Sequence, residues 1–211
     1  MAEVSEALVL RGGRLVDATG ERRADVLVRD GRIVEVGAGI DPGGARVFDV
    51  AGCVVAPGLV DLHAHLREPG FEEAETVETG ARAAAVGGYT AVVAMPNTEP
   101  ALDEPAQVLR VLGLGATAPC DVQVAAAITK GRRGEELAPL GELFDVGVRV
   151  FTDDGACVAD AGLMRRALQY ATALPGAVVA RHCEEPSLAA GGHMHEGEWS
   201  GRLGLAGVPA E

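Results

Sequence analysis

The sequence predicts an α/β protein: a small antiparallel β-sandwich domain over residues 1–56, then the amino-terminal portion of a (β/α)8 barrel over residues 57–211. Three observations predict it. Up to Ala56, short alternating apolar runs are punctuated by glycine, the pattern of a small β unit. From Pro57 onward, apolar strand-like runs alternate with helical stretches, which indicates a parallel sheet. Five such strand runs can be counted, whereas a closed barrel needs about eight strands and about 250 residues.

In the β unit the runs are Ala7–Leu10, Arg14–Val16, Ala24–Val28, Arg32–Val36, Arg46–Val50 and Cys53–Val55. Asp30-Gly31 between two alternating runs is a hairpin signal, because both residues tolerate the positive φ of a tight turn. The barrel strands are expected at Leu59–Leu66, Thr90–Met95, Val122–Ile128, Val148–Phe151 and Ala177–Ala180. Between them, Glu75–Val86 is an alanine-rich helix stopped by Gly87-Gly88, and Pro105–Leu114 opens on a helix-compatible proline. Glu135–Phe144 reads as a further helix, and Asp160 caps another that runs to Thr172. No helix or strand is expected at Val208–Glu211, so the chain is expected to be the amino-terminal half of a longer protein, with a natural short paralogue as the alternative.

Composition narrows the function. With 48% hydrophobic and 23% charged residues, the 211-residue chain has the make-up of a globular protein. Its 18 basic against 31 acidic residues leave a net charge of −13, which disfavours nucleic acid and anionic membrane as partners. The four cysteines are widely spaced with no Cys-x-x-Cys pair, so reduced thiols in a cytoplasm are expected. Met1–Ala7 lacks the basic start and apolar run of a signal peptide, and no stretch is long enough to span a bilayer.

Pro57 to Arg67, reading Pro-Gly-Leu-Val-Asp-Leu-His-Ala-His-Leu-Arg, is the most informative stretch. It places two histidines two apart at the end of an apolar strand. Strand alternation would point Asp61, His63, His65 and Arg67 to one face. Paired imidazoles beside a guanidinium suit a metal site next to an anion pocket, and hence metal-assisted hydrolysis of an anionic substrate. Asp154 shares parity with Val150 and Thr152 and should face inward, whereas Asp153 shares it with Arg149 and should face out. The competing reading of Asp154 is an acidic turn before Gly155. For Arg67 it is a surface salt bridge with Glu68 or Glu72, and for Asn97 a cap or turn beside Pro96. Cys183 is read as a structural thiol, and His193 and His195 as part of a flexible glycine-rich loop and not as ligands.

The Asp-x-His-x-His core with the following Leu66-Arg-Glu-Pro-Gly70 resembles the amidohydrolase superfamily and, within it, the bacterial type I dihydroorotase family. Ala94-Met-Pro-Asn-Thr98 resembles the family's substrate-binding segment, Phe151-Thr-Asp-Asp-Gly155 its bridging-carboxylate segment, and Ala180-Arg-His-Cys-Glu184 its third histidine segment. Phe48–Gly52 and His195–Gly197 match flanking patterns. The candidate ligand segments all fall at carboxyl ends of expected parallel strands, the face where barrel enzymes keep their chemistry.

This resemblance implies a TIM-type metal-dependent hydrolase barrel that interconverts dihydroorotate and N-carbamoyl-L-aspartate. It implies two zinc ions held by His63, His65, Asp154 and His182, with Asp154 as the bridge, and substrate contacts from His65, Arg67 and Asn97. Many amidohydrolases bridge their metals with a carboxylated lysine, but Gly147–Asp154 contains no lysine. Another metal-binding histidine and a catalytic aspartate are implied beyond Glu211, so the chain alone should be inactive. Other readings are a hydantoinase, dihydropyrimidinase or allantoinase, or a non-catalytic partner of aspartate carbamoyltransferase. A homodimer is a further expectation.

Overall fold

The computed structural model describes residues 7–210. The readings that fall on residues 1–6 and on Glu211 lie outside the described residues. Two compact units are present, one ending at Gly58 and one starting at Leu59.

In the first unit, β1 (Ala7–Asp17) and β2 (Gly20–Arg29) form a long antiparallel hairpin, and β3 (Arg32–Gly37) adds to β2 across the Asp30-Gly31 turn. The two runs expected at Ala7–Leu10 and Arg14–Val16 are one strand, because the break between them is a bulge and not a turn. The register shifts between Leu10 and Gly13. Gly12 has φ +77°, and a Cβ on Gly13 would stand 2.6 Å from a methyl of Val55, so both positions suit glycine alone.

β4 (Arg46–Asp49) and β5 (Val54–Val55) pair with β1 in parallel, before and after the bulge respectively. The antiparallel expectation is therefore corrected. The sheet is mixed, because β3 and β4 are joined by a loop that carries the chain across the sheet to the far side of β1. The described residues of the unit form this one sheet, and the facing sheet of a sandwich is not among them. Val9 and Leu27 pack with Ile40 of that loop on one side, while Leu15, Ala24 and Val26 pack with Val55 in a separate cluster.

Asp25 ties the unit together. Its buried carboxylate accepts the Gly12 N–H (2.8 Å) at the bulge and the Ile40 N–H (3.2 Å) in the loop. The Gly12 bond, ahead of those to Ile40 and Gly39 and the charge of Arg11, holds its carboxyl below the usual carboxylate range, against the upward pull of burial.

The main sheet of the second unit holds five parallel strands. They are β6 (Leu59–Ala64), β7 (Tyr89–Ala94), β8 (Asp121–Ala126), β9 (Val150–Phe151) and β10 (Val178–Val179), hydrogen-bonded in chain order. Four helices connect them, with α1 (Val77–Val86) between β6 and β7, and α2 (Pro105–Gly115) between β7 and β8. A 3-10 turn (Lys130–Arg132) and α3 (Leu140–Asp145) lie between β8 and β9, and α4 (Ala161–Ala171) between β9 and β10.

Thr76 caps α1 in a capping box with Thr79, Pro105 opens α2, and Asp160 caps α4 by accepting the Leu163 N–H. The expected helix at Glu135–Phe144 begins later, at Leu140. Lys130 N–H donates to Glu136 O and Ala138 N–H to Ile128 O, so the backbone of that segment is already committed, and Pro139 disfavours helix in the residue before it.

Alternation along β7 sorts the two faces of the sheet. Val92 and Ala94 pack with helix residues Val77, Ala81, Val108, Val111, Leu140 and Leu163, whereas Val93 and Met95 pack with Ala125 and Val150 on the opposite side. Each fully buried aliphatic side chain of the helix-side core contributes about 1.5–3 kcal/mol. After β10 the chain forms α5 (Pro186–Ala189), β11 (Met194–His195), α6 (Glu198–Leu203) and β12 (Gly207–Val208). β11 and β12 pair in parallel, which corrects two expectations. His195 lies in a short strand and not in a loop, and Val208 ends a strand.

The depressed carboxyl of Asp25 makes an acid-stability prediction. The stabilisation from its bonds is complete above the unfolded carboxylate range, about pH 4, and is lost as pH falls toward the lower folded value. Amide exchange at Gly12 and Ile40 should accelerate as pH is lowered through this range, after correction for intrinsic exchange. Asp25→Asn should show faster exchange at pH 7 and a flatter acid response.

Candidate metal centre

The strand that carries the histidine pair ends at Ala64, and its register against β7 is irregular between Asp61 and Ala64. Asp61 turns its carboxylate back to accept the His63 N–H (3.0 Å), which helps shape that end. Past it, Arg67 takes φ +62°, so the strand alternation expected to run from Asp61 to Arg67 stops short of Arg67. Among the described residues Arg67 forms no ion pair. Glu68 instead accepts the Val77 N–H at the start of α1, and Glu72 accepts the Gly70 N–H, so neither is its salt-bridge partner.

His63, His65 and Asp154 come together with their ligand atoms all within 4.8 Å of one another. His63 Nε2 stands 3.3 Å from Asp154 Oδ1, and His65 Nε2 stands 3.6 Å from Oδ2. His182, just past β10, brings Nδ1 to 3.7 Å from Asp154 Oδ1, with its Nε2 3.6 Å from Glu184. The four residues thus converge from the carboxyl ends of β6, β9 and β10. The Asp154 side chain is 6% exposed and that of His63 is 55% exposed, so a buried anion is presented to accessible imidazoles. His63, Asp154 and His182 line a cavity of about 180 Å³ together with Leu62, Met95 and Thr152. A larger cavity of about 780 Å³ beside Glu68, Arg82 and Pro119 is lined by no histidine or cysteine.

Asn97, in the loop after β7, accepts from His65 Nδ1 at 3.0 Å. A carboxamide oxygen only accepts, so Nδ1 is the donor in this contact and Nε2 is the nitrogen turned toward Asp154. The amide NH2 of Asn97 keeps its donors. The sequence offered no sign of this pairing, since 32 residues separate the two.

Asp153 departs from its expected outward place and is buried like Asp154. Strand β9 stops at Phe151, so alternation does not govern the two residues. Asp153 accepts the Ile128 N–H (2.8 Å), the Thr129 N–H (3.0 Å) and the Thr129 hydroxyl, bracing the ends of β8 and β9. Asp154 and Gly155 do form the expected turn, closed by the Ala156 N–H donating to the Asp153 carbonyl (2.7 Å), but its acidic side chain is buried against the histidines and not left in solvent. Arg181, beside His182, donates to Cys157 Sγ (2.9 Å) and so joins the loops after β9 and β10. Cys183 is exposed at the rim of the cavity, where a buried structural thiol was expected. His193 and His195 take no part in the cluster.

The donor set fits a divalent cation. Imidazole nitrogen and carboxylate oxygen are the ligands of borderline metals, and Asp154 is a buried carboxylate to which no backbone N–H donates among the described residues. Without a cation, the contacts with the three imidazoles are what offset its desolvation.

Parallel β/α units with a histidine–carboxylate cluster at their carboxyl ends define the class: a (β/α) barrel protein of the amidohydrolase type, with residues that could hold a metal. The L-hydantoinase (dihydropyrimidinase) from Arthrobacter aurescens shares the fold, with a TM-score of 0.72 over 86% of this chain and 41% of that one at 23% identity. The family model described as dihydro-orotase-like matches residues 52–211, and the chain belongs to that family. It is similar to the dihydroorotase of Pelotomaculum thermopropionicum, 49% identical over 96% of this chain and 48% of the relative. It is likewise similar to that of Leifsonia xyli, 51% identical over 97% of this chain and 47% of the relative. The chain spans about half the length of these curated relatives.

The two neighbouring aspartates should separate in a mutational test. Asp153→Ala strands buried donors at about 1–3 kcal/mol each and should lower the melting temperature clearly. Asp154→Asn, with no backbone donor to strand, should leave the metal-free melting temperature nearly unchanged or raise it. Thermal denaturation followed by circular dichroism measures both.

Proposed function

We propose that the chain carries the metal-binding part of a dihydroorotase, which interconverts dihydroorotate plus water with N-carbamoyl-L-aspartate. The observation that carries the reading is the His63–His65–Asp154 cluster in a chain about half identical to proteins named dihydroorotase. In this reading His63, His65, Asp154 and His182 hold two zinc ions. Zinc at these donors supplies Lewis acidity and lowers the pKa of a water.

The remaining roles belong to the chain itself. Asp154 offsets the repulsion between two cations, and Asn97 holds the His65 ring in the tautomer that leaves Nε2 free. Arg67, unpaired with Glu68 or Glu72, offers its planar fork to the substrate carboxylate, and the free amide donors of Asn97 address the same group. His65 completes the substrate contacts. The loop after β9 contributes Asp154 and no lysine, which favours this reading over hydantoinase, dihydropyrimidinase and allantoinase chemistry.

A further metal-binding histidine and a proton-shuttling aspartate are assigned to the part of the relatives that this chain does not match. The same reading places the reaction in the cytoplasm, with homodimerisation or association with aspartate carbamoyltransferase as its assembly states. Among the described residues, no helix is long and apolar enough to cross a membrane.

Assayed alone, the 211-residue chain should bind zinc yet fail to turn over dihydroorotate; turnover would refute the assignment of the missing groups. A chimera in which this chain replaces the matching half of the Pelotomaculum thermopropionicum relative should open dihydroorotate and leave hydantoin and allantoin intact. In that chimera Arg67→Ala should raise KM for dihydroorotate by about 100-fold or more, with a smaller effect on kcat, as expected for a lost charge-assisted bidentate bond. An unchanged KM removes Arg67 from the carboxylate site, and chelation should abolish activity.

A further inference from the structure

We propose that Arg132 is a positioning residue for Asp154, acting from behind the metal-binding carboxylate through the main chain. The inference rests on the reading of Asp154 as a metal ligand. Arg132 lies in the 3-10 turn after β8, and its Nη1 donates to the backbone carbonyl of Asp154 at 2.6 Å. Asp154 lies past the end of β9, where the last ladder-like bond is Thr152 N–H to Ala126 O. Among the described residues, Arg132 is the partner that the Asp154 carbonyl has.

The turn that bears Arg132 is itself fixed. Gly131 N–H donates to Asp103 (2.6 Å), Gly134 N–H donates to the Thr129 hydroxyl (2.9 Å), and Thr129 is gripped by Asp153. Arg132 takes φ +56°, a left-handed conformation that is unfavourable for a residue with a Cβ and that its surroundings must enforce. Its Nε is buried with no partner, so the guanidinium is held in place at a cost that solvent exposure would have spared it. Gly155 completes the arrangement. A Cβ there would stand 3.7 Å from both Arg132 Nη1 and Asn97 Nδ2, so the guanidinium and the amide flank one bare backbone position.

One short turn therefore grips both aspartates, Asp153 by its side chain and Asp154 by its carbonyl. Rotation of the Asp154 peptide would swing the carboxylate away from His63 and His65. Ligand groups need to be held to within about 0.5 Å, and outer partners of metal ligands typically change metal affinity about 10- to 100-fold when removed.

The test is a cobalt(II) titration of the 211-residue chain, followed by visible absorption and by calorimetry, for the wild type, Arg132→Met and Arg132→Lys. Circular dichroism melts accompany each variant. Arg132→Met keeps the apolar stem and loses the donor. It should weaken cobalt binding by about 10-fold or more and alter the cobalt spectrum, with the metal-free melting temperature nearly unchanged. Arg132→Lys, which keeps one donor, should recover part of the affinity. Equal affinity in Arg132→Met overturns the proposal, as does a fall in melting temperature that Arg132→Lys does not relieve, which would make the residue merely structural. Absence of cobalt binding by the wild type overturns the metal reading of Asp154 and this inference with it, and so separates the two failures.

Discussion

The carboxylate of Asp153 is the joint on which the site depends. Parallel strands are held by their ladder bonds only while both strands last, and here β8 and β9 part after Ala126 and Phe151. Beyond that point the backbone donors of Ile128 and Thr129 need new partners in a buried place. Asp153 provides them and fixes the separation of the two strand ends. Its neighbour Asp154 is thereby carried to a defined place at the mouth of the sheet, opposite the histidines of β6.

Three carboxylates are buried among the described residues: Asp25, Asp153 and Asp154. Burying a carboxylate is costly unless donors or cations compensate it. Asp25 and Asp153 are compensated by backbone N–H groups and serve as structural clamps, one in each unit. Asp154 alone has imidazole nitrogens in place of backbone donors. The contrast within one chain separates two stabilising acids from the one at the proposed metal site.

The site is distributed so that each strand end has one task. The end of β6 supplies His63 and His65, the loop after β7 supplies the amide that orients His65, and the turn after β8 supplies Arg132. The loop after β9 supplies Asp154, and the one after β10 supplies His182. Such a division lets a rigid sheet set the spacing while loops set the chemistry. It also explains how dihydroorotase relatives and a hydantoinase can share a scaffold. The backbone frame is common, and the residues that follow each strand are a local matter.

The sequence by itself determined the five parallel strands, three of their connecting helices with the Gly87-Gly88 stop, the Pro105 start and the Asp160 cap, and the family, because alternation, capping and the Asp-x-His-x-His motif are local signals. It identified His63, His65, Asp154 and His182 as residues that belong at strand ends. It misjudged Asp153 and the reach of alternation to Arg67, because both rules assume a strand that continues, and β9 and β6 end first. It placed a helix on Glu135–Pro139, where long-range bonds to Ile128 and Lys130 had already claimed the backbone. The parallel pairing of β4 and β5 with β1 depends on a crossover that no local pattern records. Only the tertiary structure decided that Asn97 orients His65, that Asp153 clamps Thr129 and that Arg132 holds the Asp154 carbonyl. Those bonds join residues 22 to 32 positions apart, and their partners are chosen by where the strands stop and not by what lies beside them in the chain.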